Sequence, residues 1–196
     1  MGRVAVIGWG SLIWDLDDLA PHVDGAWRMR SGPQLKMEFT RVSPKRKMGL
    51  AVCIDPDHGQ ECQTHVIESS RTDCTEAVRD LAARERTEIG NIGALCRRTG
   101  IRKGSDTRVV AEIEAWCRQG GWQCAVWTDI GPNFETATGA PFTVLRAVAY
   151  LKGLEGESLD EAVRYIEKAP VETDTPLRRA LAADPWWQDH AARLRT

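Results

Sequence analysis

The fold of this chain is decided by one segment near its start, Val4-Ala5-Val6-Ile7-Gly8-Trp9-Gly10-Ser11-Leu12-Ile13-Trp14. The first four residues are apolar and mostly β-branched, which predicts a buried strand. The strand ends on two glycines spaced by one residue, and glycine there permits positive φ and a close approach of a ligand to the main chain. The amides of residues 9–12 can then point into one concavity and bind an anion or a developing oxyanion. Taken alone, the segment is more typical of a strand followed by an ordinary glycine turn.

Two later segments give this loop a context. The first is Phe39-Thr40-Arg41-Val42-Ser43, which precedes a basic turn and Gly49, and the second is Leu81-Ala82-Ala83-Arg84-Glu85. Together with the Gly-Ser-Leu loop, these motifs in this order resemble the γ-glutamylcyclotransferase-like superfamily, and most closely its glutathione-specific ChaC branch. That family has a Tyr-Gly-Ser-Leu loop after its first strand, a Phe-x-x-x-Ser strand, and a Leu-x-x-Arg-Glu helix with the catalytic glutamate. The resemblance covers roughly the first half of the chain.

The resemblance implies a small mixed β-barrel flanked by helices, with the glycine loop and the glutamate facing one pocket. It implies that Glu85 is catalytic. The candidate substrate-binding residues are Gly8, Trp9, Gly10, Ser11, Leu12, Arg41 and Ser43. Two departures stand out: the loop aromatic is Trp9 instead of Tyr, which donates a hydrogen bond but cannot accept one, and the basic turn has one residue more than the glutathione-specific pattern.

The implied reaction is an attack within one molecule. The α-amine of a γ-glutamyl group adds to its own γ-carbonyl, which gives 5-oxoproline and releases the amine partner. No metal or cofactor is expected, because nucleophile and electrophile are already joined. We expect Glu85 to take the ammonium proton and pass it to the leaving nitrogen. The partner is a small-molecule γ-glutamyl substrate, either glutathione or another γ-glutamyl amine, peptide or antibiotic intermediate.

Helical spacing supports a special position for Glu85. Thr72-Asp73 predicts a helix start, and Glu85 falls on the same stripe as the apolar residues of that helix. The apolar members of the stripe are Ala77, Val78, Leu81 and Ala82. Burial disfavours the charged form of a carboxylate, which suits a base that works near neutral pH. The structural alternative is an ion pair of Glu85 with Arg84, Arg86 or Arg41.

The strand that contains Arg41 has a clear alternation. Leu35, Met37 and Phe39 share one face, whereas Glu38 falls on the opposite face with polar neighbours. Arg41 lies on the apolar face, where a charge needs a partner or a cleft. The alternative is that its side chain reaches water from the strand end. The basic turn at residues 45–47 either draws an anionic substrate or is solvated surface.

Composition limits the function classes. A chain of 196 residues with a net charge of -2 and a pI near 6.1 is not expected to bind nucleic acid or an anionic membrane. No apolar run is long enough to span a membrane, and the start lacks a secretory signal pattern, so we expect a cytoplasmic protein. The six cysteines, without any Cys-x-x-Cys pair, predict reduced and mostly buried thiols, and zinc is not expected. We expect a single α+β domain over residues 1–196 with a helical C-terminal layer from about residue 141.

Other elements follow from local patterns. Strands are predicted at residues 25–30 and 35–42, and a hairpin at residues 49–55 and 62–69, with His58 in its exposed turn. His65 is either a core or a site residue. Glycines and arginines at residues 90–106 predict a long loop, either a lid or a binding loop. Residues 109–117 fit either a helix or a strand, and residues 122–130 fit a strand.

The C-terminal part reads as helices. We expect one at residues 141–154 with Leu145 in its core side, and a second opened by a capping box at Ser158 and ending near Lys168. Thr175 and Pro176 fit the capped start of a third helix. Trp186 and Trp187 begin the last segment and are expected to seal the helical layer, or to form an interaction surface if they are exposed.

Three other functions compete with cyclotransfer. A serine hydrolase through Ser11 lacks the Gly-x-Ser-x-Gly elbow, since Leu12 and Ile13 follow the serine. A dinucleotide-binding domain requires a third glycine where this chain has Ile13. The remaining alternative is a non-catalytic binding or interaction module of the same fold, in which Glu85 is only structural.

Overall fold

The computed structural model describes residues 2–195 and shows an α+β protein. The strands are β1 (Val4–Gly8), β2 (Val23–Arg28), β3 (Gln34–Ser43), β4 (Gly49–Ile54), β5 (Gln60–Gln63), β6 (His65–Ser69), β7 (Ile92–Cys96), β8 (Ile101–Lys103) and β9 (Cys124–Thr128). The α-helices are α1 (Cys74–Glu85), α2 (Thr107–Gly120), α3 (Phe134–Thr138), α4 (Val144–Lys152), α5 (Gly156–Lys168), α6 (Pro176–Ala182) and α7 (Pro185–Arg193). Short 3-10 helices lie at Gly10–Ile13, Asp17–His22, Pro44–Arg46 and Ile89–Asn91. The predicted α+β class is confirmed.

The strands form two sheets. One has six strands in the order β2-β6-β1-β9-β7-β8, in which β1 is antiparallel to β6 and parallel to β9. The other has three strands in the order β4-β3-β5. Across the described part of the chain neither sheet closes on itself, so the small barrel implied by the resemblance is not confirmed. No helix within residues 2–195 has the length and apolar character needed to cross a bilayer.

The chain divides into two compact units. The first consists of the chain up to Leu35 together with Gln63–Ile130, and the second consists of Lys36–Cys62 together with the chain from Gly131 onward. Each unit is therefore built from two separate segments of the sequence. The expectation of a single domain over residues 1–196 stays a prediction.

The core of the first unit forms between β1 and α1. All five residues of β1 are buried, as the opening segment predicts. Asp73 caps α1 by accepting hydrogen bonds from the backbone N–H groups of Thr75 and Glu76, which confirms the predicted helix start. The predicted apolar stripe of α1 is buried in the core, where it packs with residues of β1, β7 and β9. The helix ends at Glu85 because Arg86 takes a left-handed conformation, with φ of 52°.

The secondary structure of residues 90–106 differs from the prediction. They form the antiparallel pair β7 and β8, and β7 is fully buried beside β9, so the predicted long loop is wrong. The glycine that breaks the apolar run of β7 has a packing reason. A Cβ built on Gly93 would lie 2.0 Å from Cε2 of Trp127, so the indole occupies the space of the missing side chain. Residues 109–117, left open between helix and strand, lie in α2.

The predicted hairpin at residues 49–69 is also wrong. β4 and β5 both pair with β3, one on each side, and β6 belongs to the six-stranded sheet. The turn after β4 crosses the end of β3, where the backbone N–H of Asp55 donates to the carbonyl of Lys36 at 2.9 Å. Gly59 allows this crossing, because a Cβ there would lie 2.3 Å from the carbonyl oxygen of Asp55. The strands predicted at residues 25–30 and 35–42 are confirmed, in different sheets.

The helices of the second unit agree with the sequence in part. Thr175 caps α6 by accepting from the N–H of Arg178, as predicted. The capping box at Ser158 is wrong, because α5 begins at Gly156 and its N-cap Glu155 makes no side-chain bond. Leu145 is 83% exposed instead of buried, since Ala147 and Leu151 form the buried side of α4.

The two tryptophans at the start of α7 differ in burial. Trp187 is buried and donates its indole N–H to Glu167 at 2.8 Å, whereas Trp186 is half-buried against His190. Trp187 therefore seals the helical layer of the second unit, in which α5 also packs on β4.

The packing of Gly93 gives a stability prediction. Gly93→Ala should lower the free energy of unfolding by about 1–3 kcal/mol, the usual cost of overpacking a core, because the new methyl collides with the buried Trp127 ring. Gly90→Ala is the matched control, since a Cβ there meets no atom within 4 Å. Urea unfolding of the two variants measures the difference. Equal stabilities would show that β7 does not pack on Trp127 as described.

Candidate functional site

The candidate site lies at one edge of the six-stranded sheet in the first unit. β1 and β9 are parallel neighbours, with Ile7 paired to Trp127, so their carboxyl ends meet at the same edge. The 8–12 loop follows β1 there, and Thr128 ends β9. Ligands of α/β sheets commonly bind outside the carboxyl ends of adjacent parallel strands. The predicted loop and the end of β9 therefore meet at an edge of the kind where ligands bind in such sheets.

Glycine shapes the loop after β1. A Cβ on Gly8 would lie 2.3 Å from Cη2 of Trp27, so the indole ring approaches the main chain where β1 ends. Gly10 has a φ of 53°, a left-handed conformation that residues with a side chain rarely adopt. Trp9 is extended, and a single 3-10 turn then begins at Gly10 and buries Ser11 and Leu12. Gly10 therefore has the positive φ that the sequence analysis expected. At Gly8 the indole of Trp27, and not a ligand, occupies the space of the missing side chain.

Arg84 joins this loop to α1. Its side chain is only 2% exposed. The guanidinium donates to the carbonyl oxygen of Asp15 from Nη2 at 2.5 Å and from Nε at 3.2 Å. Nη2 also donates to Oγ of Ser11 at 3.4 Å. The guanidinium therefore holds both ends of the turn from Ser11 to Asp15 against the last turn of α1.

Glu85 is the last residue of α1, and its side chain is 15% exposed. Oε1 accepts a hydrogen bond from Nη1 of Arg84 at 2.8 Å and a longer one from the hydroxyl of Thr128 at 3.4 Å. Within residues 2–195, Oε2 accepts no hydrogen bond. The predicted alternative of an ion pair is therefore observed with Arg84, whereas Arg86 pairs with Asp17 at 3.1 Å.

The structure brings part of the predicted site together. Ser11 and Glu85 share the guanidinium of Arg84, and the other predicted loop residues, Gly8, Trp9, Gly10 and Leu12, belong to the same loop. Arg41 and Ser43 belong to the second unit.

In the second unit Arg41 is half-buried and donates from Nη1 to the carbonyl of Gly131 at 2.9 Å. The register of β3 shifts between Glu38 and Arg41, so the simple alternation used to place Arg41 does not hold there. The carbonyl of Ser43 accepts from the N–H of Met48 at 3.0 Å.

Two residues of the site were missed as site residues. Arg84 lies three positions after Leu81 and seven after Ala77, so the helical stripe itself signals its burial. Thr128 carries no such signal, because its approach to Glu85 depends on the parallel pairing of β9 with β1. Its position follows from the tertiary fold alone.

The structure offers little support for a cysteine nucleophile or a metal site. Desolvation by burial raises the pKa of Cys53 and of Cys117 to about 12 and that of Cys62 to about 11, so these thiols are poor nucleophiles near neutral pH. All six cysteines are free and buried, as predicted. Across residues 2–195 no group of three or more His, Cys, Asp or Glu side chains is placed to hold a metal ion.

The basic turn before Gly49 is largely neutralised. Arg46 pairs with Glu161 of α5 at 2.9 Å and lies over the ring of Tyr165, and Lys47 pairs with Glu157. The hydrogen bond from Lys47 lowers the pKa of Glu157. These contacts favour a surface role for the turn over attraction of an anionic substrate.

We compared the chain with protein-family models, with curated proteins and with solved structures, and none of the three comparisons gave a match. Function is therefore inferred from the geometry of the site.

Arg84 gives the second prediction. Arg84→Met keeps the aliphatic stem but removes the guanidinium donor from the Asp15 carbonyl and leaves the Glu85 carboxylate without its positive partner, so the free energy of unfolding should fall by about 3 kcal/mol. Arg86→Met is the matched control two residues away. It removes an exposed ion pair, so the free energy of unfolding should fall by less than about 1 kcal/mol. Denaturant unfolding measures both. A loss at Arg84 no larger than that at Arg86 contradicts the described role of the buried guanidinium.

Proposed function

We propose that the protein is an intramolecular cyclotransferase, which converts a γ-glutamyl amide into 5-oxoproline and a free amine or peptide. One observation carries the proposal: Ser11 of the glycine loop and Glu85 of α1 contact the same buried guanidinium beside the carboxyl ends of β1 and β9. Two of the motifs that carry the resemblance thus meet in one cluster. Membership of the γ-glutamylcyclotransferase-like superfamily, with its small barrel, is part of the proposal, as is action in the cytoplasm, where buried thiols stay reduced.

The chemistry requires one proton carrier and one place for negative charge. Glu85 takes a proton from the α-ammonium group, and the resulting amine attacks the γ-carbonyl carbon of the same molecule. The new C–N bond gives a tetrahedral oxyanion. When the oxyanion collapses, the original amide C–N bond breaks, and Glu85 gives its proton to the leaving nitrogen. The attacking nitrogen loses a second proton as it becomes the lactam N–H, and the released amine takes up that proton. No water is consumed, and no redox step occurs.

The arrangement of the site matches these demands. Glu85 is mostly buried but keeps one oxygen, Oε2, outside the hydrogen bonds of the described residues, so that oxygen is the one available for proton transfer. Arg84 and Thr128 hold the other oxygen and fix the orientation of the carboxylate. The 9–12 amides and the Ser11 hydroxyl are the proposed donors to the substrate carboxylate or to the oxyanion.

A second candidate function has one observation in its favour. The ion pair between Arg84 and Glu85 is what a structural carboxylate would make, which fits a non-catalytic binding module of the same architecture. Such a module binds a γ-glutamyl ligand without turnover. Titration of the ligand together with product analysis separates the two functions.

Glu85→Gln tests the catalytic assignment. Removal of the proton carrier should lower the rate of amine release from a panel of γ-glutamyl compounds by about two to four orders of magnitude. Glu88→Gln, an exposed change three residues further along the chain, should leave the rate unchanged. Thermal melting verifies that both variants are folded. Near-normal turnover of folded Glu85→Gln rules out Glu85 as the acid/base.

The loop gives a paired test of binding. Gly10→Val places a β-branched side chain at a φ of 53° and should abolish affinity for a non-hydrolysable γ-glutamyl analogue. Ser11→Ala removes one hydroxyl and should weaken binding by only about 0.5–1.5 kcal/mol, the net value of one hydrogen bond. Circular dichroism and melting establish folding before the titrations. If Gly10→Val binds the analogue as well as the parent protein, the loop is only a turn.

A further inference from the structure

The second unit contains a cavity of about 210 Å³. It lies beside β3 and the turn after β4, and its other wall comes from the chain around α3. The lining residues are Thr40, Asp55, His58, Pro132, Asn133, Phe134, Glu135, Thr136 and Phe142. Pockets for drug-sized ligands measure about 300–1,000 Å³, so the occupant of this cavity is a smaller molecule.

Aromatic rings form one wall of the cavity. The rings of His58 and Phe142 meet edge to face with centroids 5.3 Å apart, and Phe142 meets Phe134 in the same way at 5.4 Å. Phe134 is buried and fixed further by an edge contact with Tyr150. The wall is therefore apolar, preformed, and rich in ring surface that attracts cations.

His58 is oriented by a buried carboxylate. Asp55 is 1% exposed, and its Oδ1 accepts from the backbone N–H groups of Asp57 and His58. Its Oδ2 lies 3.3 Å from Nδ1 of His58. Because a carboxylate only accepts hydrogen bonds, this contact places the ring proton on Nδ1. Nε2 is then an acceptor, and it makes no hydrogen bond within residues 2–195.

The charges of the lining have one sign. Asp55 and Glu135 contribute carboxylates, and none of the nine lining residues is Lys or Arg. Glu135 is exposed on α3, where a ligand can reach its carboxylate. Negative charge beside aromatic rings favours a cation and opposes an anion.

We propose that this cavity binds a small organic ammonium ion with an apolar body, of the arylalkylamine class. The ammonium group takes Glu135 as its counterion and Nε2 of His58 as a further acceptor, and the apolar part packs on Phe134 and Phe142. The site lies within the second unit and does not include Glu85. The inference is independent of the cyclotransferase proposal.

Titration with three probes of similar size tests the charge requirement. Benzylammonium, benzyl alcohol and benzoate, none of which carries a γ-glutamyl amide, are each added to the unaltered full-length protein. Isothermal titration and the NMR signals of the His58 ring report occupancy. We expect benzylammonium to bind with a Kd on the order of 1 mM and benzyl alcohol to bind more weakly. We expect no binding of benzoate. Benzoate binding as tight as that of benzylammonium overturns the proposal, as does no binding of benzylammonium.

Variants locate the site. Glu135→Gln should raise the Kd for benzylammonium about threefold to fivefold, the scale of a partly exposed ion pair, and leave benzyl alcohol unaffected. Phe142→Leu keeps an apolar side chain but removes the ring, and should raise the Kd for the cation about threefold to tenfold. Glu112→Gln, an exposed change on α2 of the first unit, is the matched control and should have no effect. If Glu135→Gln and Glu112→Gln behave alike, the cation binds elsewhere and the assignment fails.

Discussion

The first unit depends on a buried guanidinium that must keep its partners. A charged group that is almost entirely removed from water is costly unless it is hydrogen-bonded and paired, and Arg84 meets this condition with groups from two elements. The carbonyl of Asp15 and the hydroxyl of Ser11 come from the turn after β1, and the carboxylate of Glu85 comes from the same helix as the arginine. The position of the loop and the orientation of the carboxylate therefore have one common cause.

The pairing with Arg84 also explains how Glu85 can be both a member of a structural ion pair and the candidate acid/base. One oxygen of Glu85 is held by Arg84 and Thr128, and the other accepts no hydrogen bond from the described residues. A carboxylate fixed in this way has a defined direction, which proton transfer requires. The ion pair with Arg84 uses Oε1 alone, so the ion pair and the proposed chemistry do not exclude each other.

The sequence predicts those parts whose signals are local. The buried β1, the Asp73 cap and the apolar stripe of α1 follow from residues within one or two turns of each other. The hairpin predicted at residues 49–69 fails because β4 and β5 both pair with β3, whereas β6 pairs with β1 and β2 in the other sheet. Strand pairing of this kind is decided by tertiary packing. Glu38 shows the same limit. It was placed on a polar face, yet it is fully buried, since it accepts hydrogen bonds from the N–H of Phe39 and from the N–H of Leu177 on α6. Desolvation raises the pKa of this carboxyl. Leu177 is so distant from Glu38 in the sequence that no local periodicity predicts their contact. The same holds for the contact of Thr128 with Glu85.

The central proposal is that the α-amine of the γ-glutamyl group, and not water, attacks the γ-carbonyl at the Glu85 site. Product analysis in ¹⁸O-labelled water tests it most directly, with a panel of γ-glutamyl compounds and with both products quantified by mass spectrometry. The account predicts 5-oxoproline in equal molar amount to the released amine, without incorporation of ¹⁸O. Free glutamate that carries ¹⁸O would show attack by water and would contradict the account, as would the absence of amine release from every member of the panel.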